Sequence, residues 1–141
     1  MKISKQVQEA LNSNGPVVAL ESTIISHGLP YPRNIAAARE FEQQLIDAGV
    51  VPATIGIING VPTIGLSQDE LEQIASEGTA KSSVRDLPII AAKGINGATT
   101  VAATAFLAAK AGIRVFATGG LGGVHQGANE TFDESADLTT L

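Results

Sequence analysis

Residues Thr99–Gly127, TTVAATAFLAAKAGIRVFATGGLGGVHQG, decide the fold class. An alanine-rich segment runs from Thr99 to Ala111 and stops at Gly112, which predicts a helix. Ile113–Thr118 is a short apolar, β-branched run of the kind that forms a buried strand. Five glycines then fall within nine residues, at 119, 120, 122, 123 and 127, where positive φ and close backbone approach are available. A second apolar run, Pro88–Ala92, precedes the helix and reads as another strand. Strand, helix and strand in that order make a right-handed parallel crossover the default. The expected class is α/β, with three layers and a partly parallel mixed sheet flanked by helices.

Working outward, Ile3, Val7 and Leu11 keep a four-residue spacing, so residues 1–12 predict a short amphipathic helix ending near Gly15. Val17–Leu20 predicts a buried strand. The segment ESTIISHGLPYP (21–32) predicts a loop whose side chains gather around a ligand. Asn34 is the expected N-cap of a helix carrying Ala38, Phe41, Leu45 and Ala48, with Gly49 at its end. TIGII (54–58) and VPTIGL (61–66) flank Asn59-Gly60 and predict a hairpin whose second arm, holding Pro62, is an edge or irregular strand. Ser67 and Glu70 form a capping box ahead of Leu71 and Ile74, and Gly78 closes that helix. TAKSSVRDLP (79–88) reads as an exposed polar segment. There is no internal repeat.

Composition narrows the classes of function. With 141 residues, 44% of them hydrophobic, the chain suffices for one compact domain and is too short for two. A net charge of −5, with nine scattered lysines and arginines, argues against general nucleic-acid affinity while leaving a small anionic ligand open. The absence of cysteine excludes disulfides, thiolate zinc sites and cysteine nucleophiles. The N-terminus lacks the apolar core of a signal peptide, and no run approaches the ~20 apolar residues of a membrane span. A cytoplasmic location is expected. The chain stops soon after its last expected strand, so we expect residues 1–141 to be the N-terminal part of a single larger domain, with the sheet incomplete.

Three groups of residues could carry chemistry. The glycine-rich loop can form an anion cradle of backbone N–H groups at a strand's carboxyl end. Asp133, Glu134 and Asp137 follow it and suit a hard divalent cation such as Mg²⁺ or Mn²⁺; the bland alternative is a solvated glycine loop ending in an acidic turn. Glu21, at the end of an apolar strand, could serve as a general acid or simply be a strand-end carboxylate. His27 and His125, each beside glycine, could meet in a proton relay or be ordinary loop histidines. Lys81 and Arg85, beside Ser82 and Ser83, could hold a phosphate or lie in a solvated linker.

Several long strings resemble a known family: ALESTIISHGLPYP (19–32), VPATIGIING (51–60), RDLP (85–88), NGATTVA (96–102) and FATGGLGGVHQGANETFDESADL (116–138). Together, and in this order, they are similar to pseudouridine-5′-phosphate glycosidase, also called the indigoidine-synthase-A-like family. The resemblance implies reversible cleavage of the carbon–carbon bond between uracil C5 and ribose C1′, giving uracil and ribose 5-phosphate. It implies glycosidase chemistry of hydrolase or lyase type in nucleotide metabolism, one Mn²⁺ per subunit and a homotrimer. Carried over by motif, Glu21 of ALEST is the proton donor. Lys81, ahead of RDLP, and Val101 of NGATTVA are substrate-binding. Asp133 of TFDESAD is the metal ligand, and Ser135, Ala136 and Asp137 form a substrate-binding SAD segment. The family's Schiff-base lysine lies downstream of SAD, in a region this chain does not contain; Lys93 and Lys110 do not occupy that motif. The alternative is a non-catalytic phosphosugar- or metal-binding fragment. A kinase or dinucleotide binder fits poorly, because GGLGGVHQG matches neither GxGxxG nor GxxxxGK[ST].

Overall fold

The structure, a computed structural model, describes residues 1–76, 78–124, 126–131 and 134–141. Its elements in chain order are β1 (Lys2–Ile3), α1 (Lys5–Asn12), β2 (Val17–Leu20), a π-helical turn (Ile24–Gly28), α2 (Arg33–Asp47), β3 (Val51–Ile58) and β4 (Val61–Ile64). There follow α3 (Gln68–Ala75), β5 (Ala80–Ser82), a 3₁₀ turn (Val84–Asp86), α4 (Leu87–Lys93), β6 (Gly97–Thr99), α5 (Val101–Ala111), β7 (Val115–Ala117), α6 (Ala128–Thr131) and α7 (Asp137–Thr140). Among the described residues seven strands form one mixed sheet with the path β1-β4-β3-β2-β7, and β6 joins β3 to β5.

The long strand β3 organises the sheet. Its first half pairs in parallel with β2, from Val17 opposite Val51 to Leu20 opposite Thr54. Its second half pairs antiparallel with β4 and with β6, where Gly56 opposes both Thr63 and Ala98. β2 and β6 therefore run toward each other end to end, and their carboxyl ends meet near Ile55. At that junction the ladder is completed by side chains. Ser22 Oγ and Thr99 Oγ1 both donate to the Ile55 carbonyl, at 2.6 and 2.7 Å, and Thr99 N donates to Ser22 Oγ at 2.8 Å. Buried backbone groups need such partners, and among the described residues no buried side-chain polar atom lacks one. β7 runs parallel to β2, and β5 parallel to β6, so four strand ends converge on one place.

Helices cover both faces, which makes the three expected layers. Val7 of α1 and Leu107 and Ala108 of α5 pack with Val17, Ala19, Ala53 and Ile55 on one face. Ile35 and Ala38 of α2, Leu71 and Ile74 of α3, Leu66 and Ala98 form the second cluster, with Ile25 of the π-helical turn. α3 comes so close to β3 at Gly56 that a Cβ there would meet Leu66 and Ile74 side-chain carbons at 3.2 and 3.3 Å. Burial on this scale contributes about 25 cal/mol per Å² of apolar area, so these two clusters dominate stability.

Several local expectations hold and others are corrected. The Asn59-Gly60 hairpin is present, with φ of +50° and +79° as a type I′ turn requires. The second arm is not an edge strand, since β4 lies between β1 and β3; Pro62 sits beyond the two residues that pair with β1, where its missing N–H costs no ladder bond. The Ser67/Glu70 capping box starts α3. Residues 1–12 do not form one helix: Lys2–Ile3 joins the sheet, and Ser4 caps α1. Asn34 is not the cap of α2 but its second residue; its buried side chain donates to the Ile25 and Ala75 carbonyls and so ties the π-helical turn to α3. The loop expected at 21–32 contains that turn.

Pro88–Ala92 is not a strand but most of α4. Pro88 occupies the first turn, where it lacks no needed N–H, and Gly94 at φ +63° closes the helix; a short apolar run alone cannot separate the two states. The exposed polar segment proves to contain β5, whose Ser82 is fully buried. The parallel crossover is also corrected. The strand before α5 is β6, antiparallel to β3, whereas β7 is parallel to β2 and hence to β3. Nor is β7 buried: it pairs among the described residues only with β2, and Val115 is 56% exposed.

Candidate functional site

A cleft of about 970 Å³ opens where the carboxyl ends of β2, β5, β6 and β7 converge. Ligands of open α/β sheets bind in such crevices because loops leave the strands in diverging directions there. One wall is Glu21, Thr23, Ile24 and His27, which follow β2. A second is Lys81 of β5 with Ser83, Arg85, Thr100 and Val101, which follow β5 and β6. The third is the glycine loop after β7 with Glu134, Ser135, Ala136 and Asp137. Glu21, Lys81, Val101, Ser135, Ala136 and Asp137, expected from the sequence to act together, therefore share one cavity. Asp133 and His125 lie outside the described residues, so the metal-ligand and histidine-pair expectations rest on positions not described.

Glu21 is held from both sides. Thr118 Oγ1, from the residue following β7, donates to Oε1 at 2.6 Å, and Thr23 Oγ1 donates to Oε2. Two hydroxyl donors fix the carboxylate plane and leave its remaining lone pairs toward the cleft.

The N-terminus of α5 faces the same cavity, and its four leading N–H groups can be accounted for one by one. Thr100 N donates to the Ser82 carbonyl at 2.9 Å, Ala102 N to Asp137 Oδ1 at 2.9 Å, and Ala103 N to Thr100 Oγ1 at 3.4 Å. The Val101 N–H is left without a protein acceptor among the described residues. Val101 is 5% exposed and lines the cleft. With the Lys81 ammonium and the helix dipole, that N–H could seat an anion.

Asp137 lines the cleft and also holds the fold together at its edge. Its carboxylate is buried, accepting from Ala102 N at 2.9 Å and from Gly122 N at 3.1 Å, so it clamps the glycine loop to α5. Ser135 Oγ accepts from Asp137 N at 3.1 Å and keeps its own proton to donate. The cationic patch also changes: Lys81, Ser83 and Arg85 line the cleft, while Ser82 turns inward and donates to the Ala80 carbonyl. Sequence reasoning passed over Thr23, Thr100 and Thr118. Their signal was position alone, each lying at or just beyond a strand's carboxyl end.

The described residues hold no cluster of three or more His, Cys, Asp or Glu placed to bind a metal. Near the SAD segment, Glu134 and the Ser135 hydroxyl line the cleft and offer oxygen ligands, the donor type a hard divalent cation takes, with water and substrate oxygens able to complete its shell. No helix among the described residues is long and apolar enough to cross a membrane.

An α/β chain with an acid-bearing strand end, an anion seat and a glycine loop in one crevice defines the class, and comparison with known proteins gives the family. Residues 6–141 match the family described as indigoidine synthase A like protein, and the chain belongs to it. It is 66% identical over 140 residues to the pseudouridine-5′-phosphate glycosidase of Saccharopolyspora erythraea, a match covering 99% of this chain and 46% of that protein. The protein of the same name from Escherichia coli is 58% identical over 143 residues, covering 100% of this chain and 46% of the relative. The chain thus spans about half the length of the curated relatives it matches. Among solved structures it is similar to a prealnumycin C-glycosynthase in complex with ribulose 5-phosphate, with TM-score 0.84 and 42% identity over 99% of this chain and 45% of that one. An indigoidine synthase A-like protein from Thermotoga maritima aligns with TM-score 0.81 and 44% identity, over 89% of this chain and 42% of that one.

Proposed function

We propose that this chain forms the acid and phosphate-binding side of a pseudouridine-5′-phosphate glycosidase site, acting in the reversible conversion of pseudouridine 5′-phosphate to uracil and ribose 5-phosphate. The supporting observation is the shared cleft, which gathers Glu21, Lys81 and the Val101 N–H on strand ends that meet head-on. A carbon leaving group is poor, so cleavage needs a proton delivered to uracil C5 as its bond to C1′ breaks. Glu21, held in orientation by Thr23 and Thr118, is the group placed to deliver that proton and to remove it in the reverse direction. Lys81, the Val101 N–H and the Ser135 hydroxyl receive the phosphate.

Cleavage also needs an electron sink at C1′, which an amine provides by forming an iminium with the opened sugar. Lys93 and Lys110 do not line the cleft, and Lys81 faces its anion seat, so we assign that role to no lysine described here. We further propose Mn²⁺, one per subunit, at Asp133; it would supply positive charge beside the phosphosugar. A cytoplasmic homotrimer completes the reading; exposed apolar residues, among them Val115, Leu121 and Leu138, offer surface for subunit contact.

Calorimetry of this chain with ribose 5-phosphate, ribose and pseudouridine 5′-phosphate tests the binding reading. Both phosphates bind and ribose does not; Lys81→Ala weakens phosphate binding roughly 10–100-fold, the size of a lost charge-assisted hydrogen bond. Ribose binding as well as ribose 5-phosphate would overturn it. The second reading is a phosphosugar-binding module without covalent chemistry. Borohydride treatment with ribose 5-phosphate tests that second reading: a reduced adduct by mass spectrometry requires an amine nucleophile in the chain and would overturn it.

A further inference from the structure

His27 closes the π-helical turn on the Glu21 wall and is exposed to the cleft. Such turns are uncommon and frequently mark functional positions. The ring is tethered at one nitrogen: Ser26 Oγ lies 2.5 Å from His27 Nδ1. The Ser26 hydroxyl has one proton and two acceptors within reach, His27 Nδ1 and the Ser22 carbonyl, the latter at 3.5 Å. Donated along the shorter contact, that proton makes Nδ1 the acceptor and leaves the ring's own proton on Nε2, the tautomer the inference below requires. Nε2 has no protein partner among the described residues.

The two ends of the cleft then divide by charge. Lys81, Arg85 and the Val101 N–H occupy the wall after β5 and β6 and draw the phosphate there. Glu21 must reach the base carbon, so the base lies along the wall after β2, which Glu21 shares with His27. An N–H donor on that wall matches a carbonyl oxygen of the pyrimidine ring, a group that ribose 5-phosphate lacks. We propose that His27, through Nε2–H, holds a carbonyl oxygen of the pyrimidine base and so sets which ring edge faces Glu21. This inference rests on the function proposed above and goes beyond it in naming a base-recognising residue and the tautomer it uses.

The test uses the 141-residue chain. Long-range ¹H–¹⁵N NMR reads the His27 tautomer, and calorimetry compares pseudouridine 5′-phosphate with ribose 5-phosphate for the parent, His27→Ala and His27→Gln. Gln keeps an N–H donor near the position of Nε2. The expected results are protonation at Nε2, a threefold to tenfold weaker affinity (about one hydrogen bond) for pseudouridine 5′-phosphate in His27→Ala, recovery in His27→Gln, and unchanged ribose 5-phosphate affinity throughout. Equal pseudouridine 5′-phosphate affinity in parent and His27→Ala overturns the inference, as does an equal loss for both ligands; either result leaves the phosphosugar reading standing. A parent that binds neither ligand overturns both.

Discussion

Replacing Asp137 by alanine should destabilise the chain by about 3 kcal/mol, because its carboxylate is the partner of two backbone donors at once. Hydrogen bonds to a charged group contribute about 1.5–3 kcal/mol each. The Ala102 N–H, at 2.9 Å, sits on a residue only 1% exposed, so without Asp137 it is left nearly dry. Gly122, at 3.1 Å, is half-buried, and water can replace much of its bond. One bond lost almost in full, one lost in part and the carboxylate removed from the α5 N-terminus give the estimate. Asp137→Asn keeps one acceptor oxygen but turns an NH₂ toward the other N–H, so about half the loss is expected. In urea, with a slope of about 1.5 kcal/mol per M, the midpoint should fall by ~2 M for Ala and ~1 M for Asn. Hydrogen exchange should speed up at the Ala102 and Gly122 amides before it does in β3. An Asp137→Ala midpoint within ~0.3 M of the parent would refute the clamp.

Burial raises the pKa of Glu42 above the usual carboxylate value, against the lowering effect of the hydrogen bonds from Thr54 and Gln68. The folded state then binds the proton more tightly than the unfolded one, so this group's contribution is full below the unfolded pKa and is lost as pH rises through the folded pKa. Unfolding free energies of Glu42→Gln and parent should therefore diverge in the variant's favour as pH rises above that of an ordinary carboxylate; parallel curves would remove Glu42 as the cause. Gly97→Ala should cost about 1–3 kcal/mol, since a Cβ there would overlap the buried Ser82 hydroxyl and meet Ile57 Cδ1 at 3.1 Å, and an unchanged melting temperature would show that β5 can move aside. Asp133→Ala should abolish Mn²⁺ binding in calorimetry with little change in unfolding free energy; unchanged Mn²⁺ affinity would identify it as the wrong ligand. In an enzyme that turns over pseudouridine 5′-phosphate through this cleft, Glu21→Gln should slow cleavage by about 10²–10⁴ while ligand affinity stays level, and parent-like turnover would remove Glu21 from the proton transfer.

Much of the fold was legible because its signals are local. The Asn59-Gly60 turn and the Ser67/Glu70 capping box each carry their cause within four residues. Pro88–Ala92 misled because five apolar residues fit a buried strand as well as a helix's first turns, and only the αL glycine at 94 and the proline at the helix start separate them. The direction of β6 was not legible at all, since it depends on Gly97 and Ala98 meeting β3 some forty residues earlier in the chain. At the site, Glu21 and Lys81 could be named from sequence, but the hydroxyls that hold Glu21 could not. Thr118 lies 97 residues from its partner, and a threonine at a strand end has many other uses.

The head-on junction of β2 and β6 also bears on how the molecule comes together. Ser22 and Thr99 are 77 residues apart, and Thr118 and Glu21 are 97 apart, so each wall of the cleft waits on the closing of a long loop. Loop closure of that length is entropically costly and slow compared with forming the β3–β4 hairpin, which needs only a two-residue turn. The hairpin and its neighbouring helices can assemble while the cleft is still open, and the capacity to hold a ligand arrives with the last distant contacts. A ligand that touches all three walls then counts only finished molecules. At a hundred times its dissociation constant it would deepen the native well by about 2.7 kcal/mol, so the concentration of titratable sites becomes a direct measure of how much of a preparation has completed the topology.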